Sequence, residues 1–239
     1  CALPISYGNP IRRPHDCAQL AEAFRQAAHN ADPGSEHQLA FIRGLAAYAM
    51  EATDLQWLAD LLTGDATLEG LVIDADLRWT LIARLTMTAF WDESRIEAEQ
   101  ARDNTAFGAK WAAFCRAALP NAAAKAAAWE LLTGSDDIAN SIFQHTAMGF
   151  RQAEQLALIA DYVPRFFIDL PQIWAKHEFY MARDFSLHTF PALFIEEATV
   201  EMATNFLESH EGGHVAMLRF VREGRANLIR AMKARQADL

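Results

Sequence analysis

The residues best spaced to do chemistry are His210-Glu211-Gly212-Gly213-His214. Two imidazoles one helical turn apart can share a zinc ion, while the glutamate between them acts as base towards the metal-bound water. That chemistry needs all five residues on one helix. Gly212 and Gly213 would each cost such a helix about 1 kcal/mol relative to alanine. We therefore read the segment as the loop between the last two helices. A third ligand is also missing, because Lys233 stands where a glutamate nineteen residues after His214 is needed, and Glu223 lies on no recognised spacing. His210, Glu211 and His214 are taken as a fortuitous match, and no catalytic residue, cofactor site or metal site is expected in this chain.

Other candidates are weaker. His29, His37, His145, His177 and His188 are scattered without paired spacing and read as solvated or singly hydrogen-bonded. No serine sits in a GxSxG turn, and no glycine-rich phosphate loop occurs. The three cysteines, Cys1, Cys17 and Cys115, have no CxxC spacing and suggest packed thiols in a reduced, cytoplasmic protein. With 21 Lys plus Arg against 31 Asp plus Glu, the formal charge of -10 repels nucleic-acid phosphates and anionic membranes, so neither is an expected partner. The same charge favours basic groups on whatever binds. No apolar run reaches the roughly 18 to 20 residues that span a bilayer, and no signal peptide opens the chain. Basic residues gather in the final helix, at Arg219, Arg222, Arg225, Arg230, Lys233 and Arg235, where a solvated face explains them.

The elements that position these residues are helices. Apolar residues recur at helical spacing from Asp16 to Ala28, and Ser35 with Gln38 forms a capping box for a helix burying Leu39, Ile42, Leu45, Ala46 and Ala49. Thr53 or Asp54 is expected to cap a third helix that Gly64 ends. The best-patterned stretch runs from Asp74 to Gly134 and reads as four helices: capped by Asp74 or Asp76, by Asp92, by Asn104 or Thr105, and by Asn121 after Pro120. In it Leu77, Leu81, Ile82 and Leu85 face inward, with Arg84 along the flank and Arg78 reaching either an acidic group on a neighbouring helix or a solvent-facing groove. The tryptophans, six in the chain, sit beside Leu and Ala and read as core rather than as the lining of a ligand pocket.

Beyond Gly134 the pattern is less regular. Asp136 or Asp137 is expected to cap a helix through Ile138, Ile142 and Phe143, and another begins near Gln152. Pro164 should kink or divide that segment, and Pro171 should occupy a first helical turn leading to Trp174. From Phe179 to Phe194 no element is clear, and helices resume over Glu196–Leu207 and Val215–Arg235. Successive helices with short connections and no strand pattern imply an all-α array of stacked antiparallel helix pairs, a HEAT/armadillo-like α-solenoid whose concave face is the place to bind something.

Three separated motifs carry a resemblance: Gly70 to Trp79 (GLVIDADLRW), Asp103 to Gly108 (DNTAFG) and Leu119 to Trp129 (LPNAAAKAAAW). In this order they resemble the C-terminal helical domain of the M1 zinc aminopeptidases, of the actinobacterial aminopeptidase N type. Asn140, Gly149-Phe150, Tyr162 to Phe167, Trp174 and the closing Arg222 to Arg235 continue it. The resemblance implies a larger enzyme whose zinc lies in an absent catalytic domain of the same polypeptide. This chain would then be the cap enclosing a cavity for oligopeptide substrates, itself inactive. A free-standing α-solenoid that binds a protein partner is the alternative, and a self-contained zinc peptidase built on His210 and His214 ranks third. Cys1-Ala2-Leu3-Pro4-Ile5 reads as a translated sequencing adaptor. Residues 1–6 are therefore expected to be non-native, and 7–239 to be the helical C-terminal domain from an incomplete reading frame.

Overall fold

The computed structural model describes residues 3–135 and 137–237 of the chain. After a π-helical turn at Leu3–Tyr7, the helices are α1 (Arg13–Asn30), α2 (Glu36–Tyr48), α3 (Ala52–Thr63), α4 (Ala75–Met87), α5 (Glu93–Arg102), α6 (Ala106–Ala118) and α7 (Ala122–Gly134). They continue with α8 (Asn140–Phe150), a 3-10 turn at Ala153–Gln155, α9 (Leu156–Ile159), α10 (Tyr162–Lys176), α11 (Phe179–Thr189), α12 (Glu197–Ser209) and α13 (Val215–Ala237). No strand occurs among the described residues.

The packing has two rows. One is continuous: α2 touches α4, α4 touches α6, α6 touches α8, α8 touches α11, and α11 touches α13. The other lies outside it, with α1, α3, α5, α7, α10 and α12 each against its antiparallel neighbour α2, α4, α6, α8, α11 or α13. Helices of the inner row pack closely on one another, whereas α10 and α12 are the outer-row neighbours in comparable contact. A tight inner row and a splayed outer row curve the array, with the inner row on the concave side. Gly149 permits its closest approach: a β-carbon there would stand 2.2 Å from Phe114 O, so α8 lies directly on the backbone of α6.

Two apolar clusters fill the space between the rows. One runs from Ala21 to Leu119 around Trp79, and the other from Ala117 to Leu228 around Trp129, Phe143, Phe166 and Phe185. The indoles of Trp79 and Trp129 both have partners for their N–H groups. Trp79 Nε1 donates to Asp103 Oδ2 at 2.9 Å, and Trp129 Nε1 to Asp169 Oδ2 at 2.8 Å.

Local signals were strong at helix starts. Ser35, Asp74, Asp92, Thr105 and Asn121 all accept a main-chain N–H with their side chains, each at an expected cap. Gln38 departs from a strict capping box, since its Oε1 accepts from Gly34 N and its Nε2 donates to Glu69 O, tying two loops together. The cap expected at Thr53 or Asp54 is instead at Glu51, without a side-chain bond. Asp54 turns inward, where Arg25 Nε lies 3.5 Å from it and burial pushes its carboxyl up.

Other expectations need correction. Of the expected caps for α8, Asp136 lies outside the described residues, and the helix starts with Ala139 as its cap and no side-chain bond. The helical segment is divided by a turn at 160–161, ahead of Pro164, which sits in the first turn of α10 where a missing N–H costs nothing. Pro171 lies inside α10 rather than starting a helix. The apolar stripe Val163, Phe166, Phe167, Leu170, Ile173 and Trp174 runs straight through it and is buried throughout. Burying such side chains contributes about 1.5–3 kcal/mol each, which outweighs the roughly 3 kcal/mol cost of an interior proline. The stretch with no clear element contains α11, with Met181, Ala182 and Phe185 buried.

Candidate functional site

A cleft of about 460 Å³ opens on the inner row of helices. Its lining comes from α2 (Arg43, Ala46, Ala47), α4 (Thr80, Ala83, Arg84, Met87), α6 (Trp111, Phe114) and the segment after α8 (Arg151 to Glu154). Leu193 completes it, and Ile5 and Ser6, from the segment expected to be non-native, lie across it. The lining follows from the inner row: its helices present small or apolar residues to each other and leave one face open.

The ends of these helices are held by buried polar side chains. Arg84 Nε donates to Ala49 O at the end of α2, at 2.6 Å. Gln155 Nε2 donates to Met87 O on α4 at 2.8 Å and to Ala118 O on α6 at 2.7 Å. Lys125 Nζ donates to Ala117 O on α6 at 2.6 Å and Phe150 O on α8 at 3.0 Å. Arg151 Nη1 donates to Phe190 O, just past α11. The last carbonyls of a helix have no intrahelical partner and carry the negative end of its dipole. A belt of two guanidinium groups, one lysine amine and one amide therefore satisfies successive helix ends along the edge beside the cleft.

The electrostatics of the cleft differ from those of the whole chain. Arg43 pairs with Asp76, and Arg84 Nη1 lies 2.9 Å from Glu154 Oε1. Arg151 has no carboxylate within ion-pair distance among the described residues, and burial pushes its guanidinium down to about 10. Burial likewise lowers His145 and His188 on the neighbouring α8 and α11. The site can accept an extended apolar chain with an acceptor group near Arg151.

The sequence motif with zinc-like spacing lies elsewhere. His210 caps the end of α12, Gly212 has φ +85°, and α13 starts only at Val215, so the loop expected over His210–His214 is present and the helix that zinc binding requires is not. The His210 ring stacks on Phe206 at 4.2 Å with Nδ1 2.9 Å from Phe206 O, and His214 lies 4.5 Å from Trp174. Glu211 points to solvent. Among the described residues no three His, Cys, Asp or Glu side chains could hold a metal ion together.

Of the two partners the sequence left open for Arg78, the structure has the acid: it binds Glu99 on α5 through Nε at 2.6 Å and Nη2 at 2.5 Å. It misplaced Arg84, which is buried rather than on a flank. Of the six tryptophans expected as core, Trp79, Trp129 and Trp174 are buried, whereas Trp57, Trp91 and Trp111 are half-buried, Trp111 in the cleft wall. Lys125, Arg151 and Gln155 were not singled out.

The comparisons with known proteins agree with this architecture. The family model described as the ERAP1-like C-terminal domain matches residues 16–230. The chain belongs to this family of M1 aminopeptidase C-terminal domains. It is 37% identical to the aminopeptidase N of Streptomyces lividans over 232 residues, which cover 97% of the chain and 27% of that relative. The chain thus spans about a quarter of the relative's length. No described helix is long and apolar enough to cross a membrane.

Proposed function

We propose that this chain, over residues 7–239, is the cap of a zinc-dependent cytoplasmic aminopeptidase that removes N-terminal residues from oligopeptides. The catalytic domain and its zinc lie in the remainder of the polypeptide, and this domain closes over them without catalysing. The observation that carries the reading is the cleft on the inner row, with its apolar and aromatic wall and with Arg151 unpaired by any carboxylate among the described residues. A peptide whose first bond is cut in the catalytic domain extends its distal part into this cleft. Met87, Trp111, Phe114 and Leu193 cover its apolar side chains, and Arg151 donates to a carbonyl or carboxylate. The overall negative charge does not extend to this surface, so the preference for basic peptides read from net charge gives way here to one for apolar segments with an acceptor. His210, Glu211 and His214 have no part in catalysis.

A chimera tests the cap function. Replacing the homologous region of the Streptomyces lividans aminopeptidase N with this chain should preserve peptide hydrolysis and a dependence of rate on peptide length. Deleting the region should abolish that dependence. A chimera indistinguishable from the deletion would contradict the proposal.

A further inference from the structure

Lys125 lies outside the cleft, on α7, and its side chain is 0% exposed. Nζ reaches Ala117 O in the last turn of α6 and Phe150 O, the final carbonyl of α8, and the Phe150 ring lies 5.7 Å away. Among the described residues no charged group offsets its burial. On α6, Arg116 turns to Glu93 and Gln100; beyond α8, Arg151 is held at Phe190 O and Glu154 at Arg84; on α8, His145 turns to Ser141 O; and on α10, Asp169 is held by Trp129.

Two acceptors match the two N–H groups of a neutral amine, whereas an ammonium adds a third N–H that meets only the ring. Desolvation alone pushes the amine down to about 7. An ammonium regains its hydration when the ends of α6 and α8 part. These two helices carry the cleft wall, since Trp111 and Phe114 are on α6 and Arg151 follows α8. The two apolar clusters also meet here, Leu119 in one and Ala117 with Phe150 in the other.

We infer that Lys125 is a positioning residue and a proton-linked latch: as a neutral amine it ties α6 to α8 and holds the cleft wall, and opening of this junction takes up one proton. The direction follows from the two states. Closed, the amine is held low; open, it returns to the ordinary lysine range near 10.4. Between those limits the open state binds the extra proton, so opening becomes easier as pH falls, and it levels off below about 7.

Amide exchange of segments 112–119 and 146–153, corrected for intrinsic rates, tests this without any peptide ligand, so it stands apart from the peptide-binding reading. The opening constant should rise roughly tenfold per pH unit lowered from about 9.5 to about 7 and then flatten. Lys125→Met should remove the slope. Carbon-13 resonances of the lysine ε-methylene in the wild-type chain should show Lys125 titrating near neutrality, a measurement that survives if the variant fails to fold. A flat profile, the same slope in Lys125→Met, or titration in the ordinary lysine range would each overturn the inference.

Discussion

Replacing Gln155 by methionine probes the polar belt at the point where opposing effects can be weighed. The side chain is 4% exposed, and Nε2 donates to Met87 O and Ala118 O while Oε1 is buried without a partner among the described residues. Methionine has nearly the same volume, so the cavity term is small. The change strands two carbonyls, each costing about 1–3 kcal/mol. It also removes the orphaned Oε1, which recovers about 1–3 kcal/mol. Two losses against one gain leave a net destabilisation of about 2 kcal/mol. With a urea dependence of about 3 kcal/mol per molar, the unfolding midpoint should fall by about 0.7 M. An unchanged or raised midpoint would show that water reaches these helix ends, and the belt would lose its structural role.

Further outcomes follow from other contacts. Arg78→Ala leaves the nearly buried Glu99 carboxylate without its partner and should cost about 3–5 kcal/mol; thermal unfolding of the double variant Arg78→Met/Glu99→Leu should recover most of it. Gly149→Ala places a β-carbon against Phe114 O and should cost about 3 kcal/mol, since backbone cannot move aside as a side chain can; a variant with native stability would refute the close approach of α6 and α8. The hydroxyl of Thr105 and then the indole of Trp79 hold the Asp103 carboxyl below its usual range. Its contribution is therefore present above the ordinary aspartate range and lost as pH falls through the depressed one, so Asp103→Asn should flatten the acid limb of stability against pH.

Much of the framework was legible because its signals are local. A cap such as Asp74 or Asn121 bonds a main-chain N–H two or three residues away, and an apolar stripe such as Leu77, Leu81, Ile82 and Leu85 declares its own face. What was not legible depends on distant partners. Lys125 stands in an alanine run with nothing local to mark it, since its acceptors are 8 and 25 residues away. Arg84 fits an exposed last turn until Ala49 O, 35 residues back, is placed beside it. Pro171 was misplaced because its local penalty is visible in sequence, whereas the burial that overrides it is tertiary. The cleft is a product of curvature, so Trp111, with helical spacing like that of Trp79 and Trp129, could not be told from them.

The central claim is that the concave cleft holds the distal part of an oligopeptide. Equilibrium titration of the chain with an uncleaved apolar oligopeptide bearing a free C-terminus, followed by tryptophan emission, tests it most directly. The account predicts saturable binding whose signal is lost in Trp111→Phe and whose affinity falls about tenfold or more in Arg151→Ala, as expected for a charge-assisted hydrogen bond worth about 1.5–3 kcal/mol. Absence of binding up to millimolar peptide, or binding indifferent to both substitutions, would contradict it.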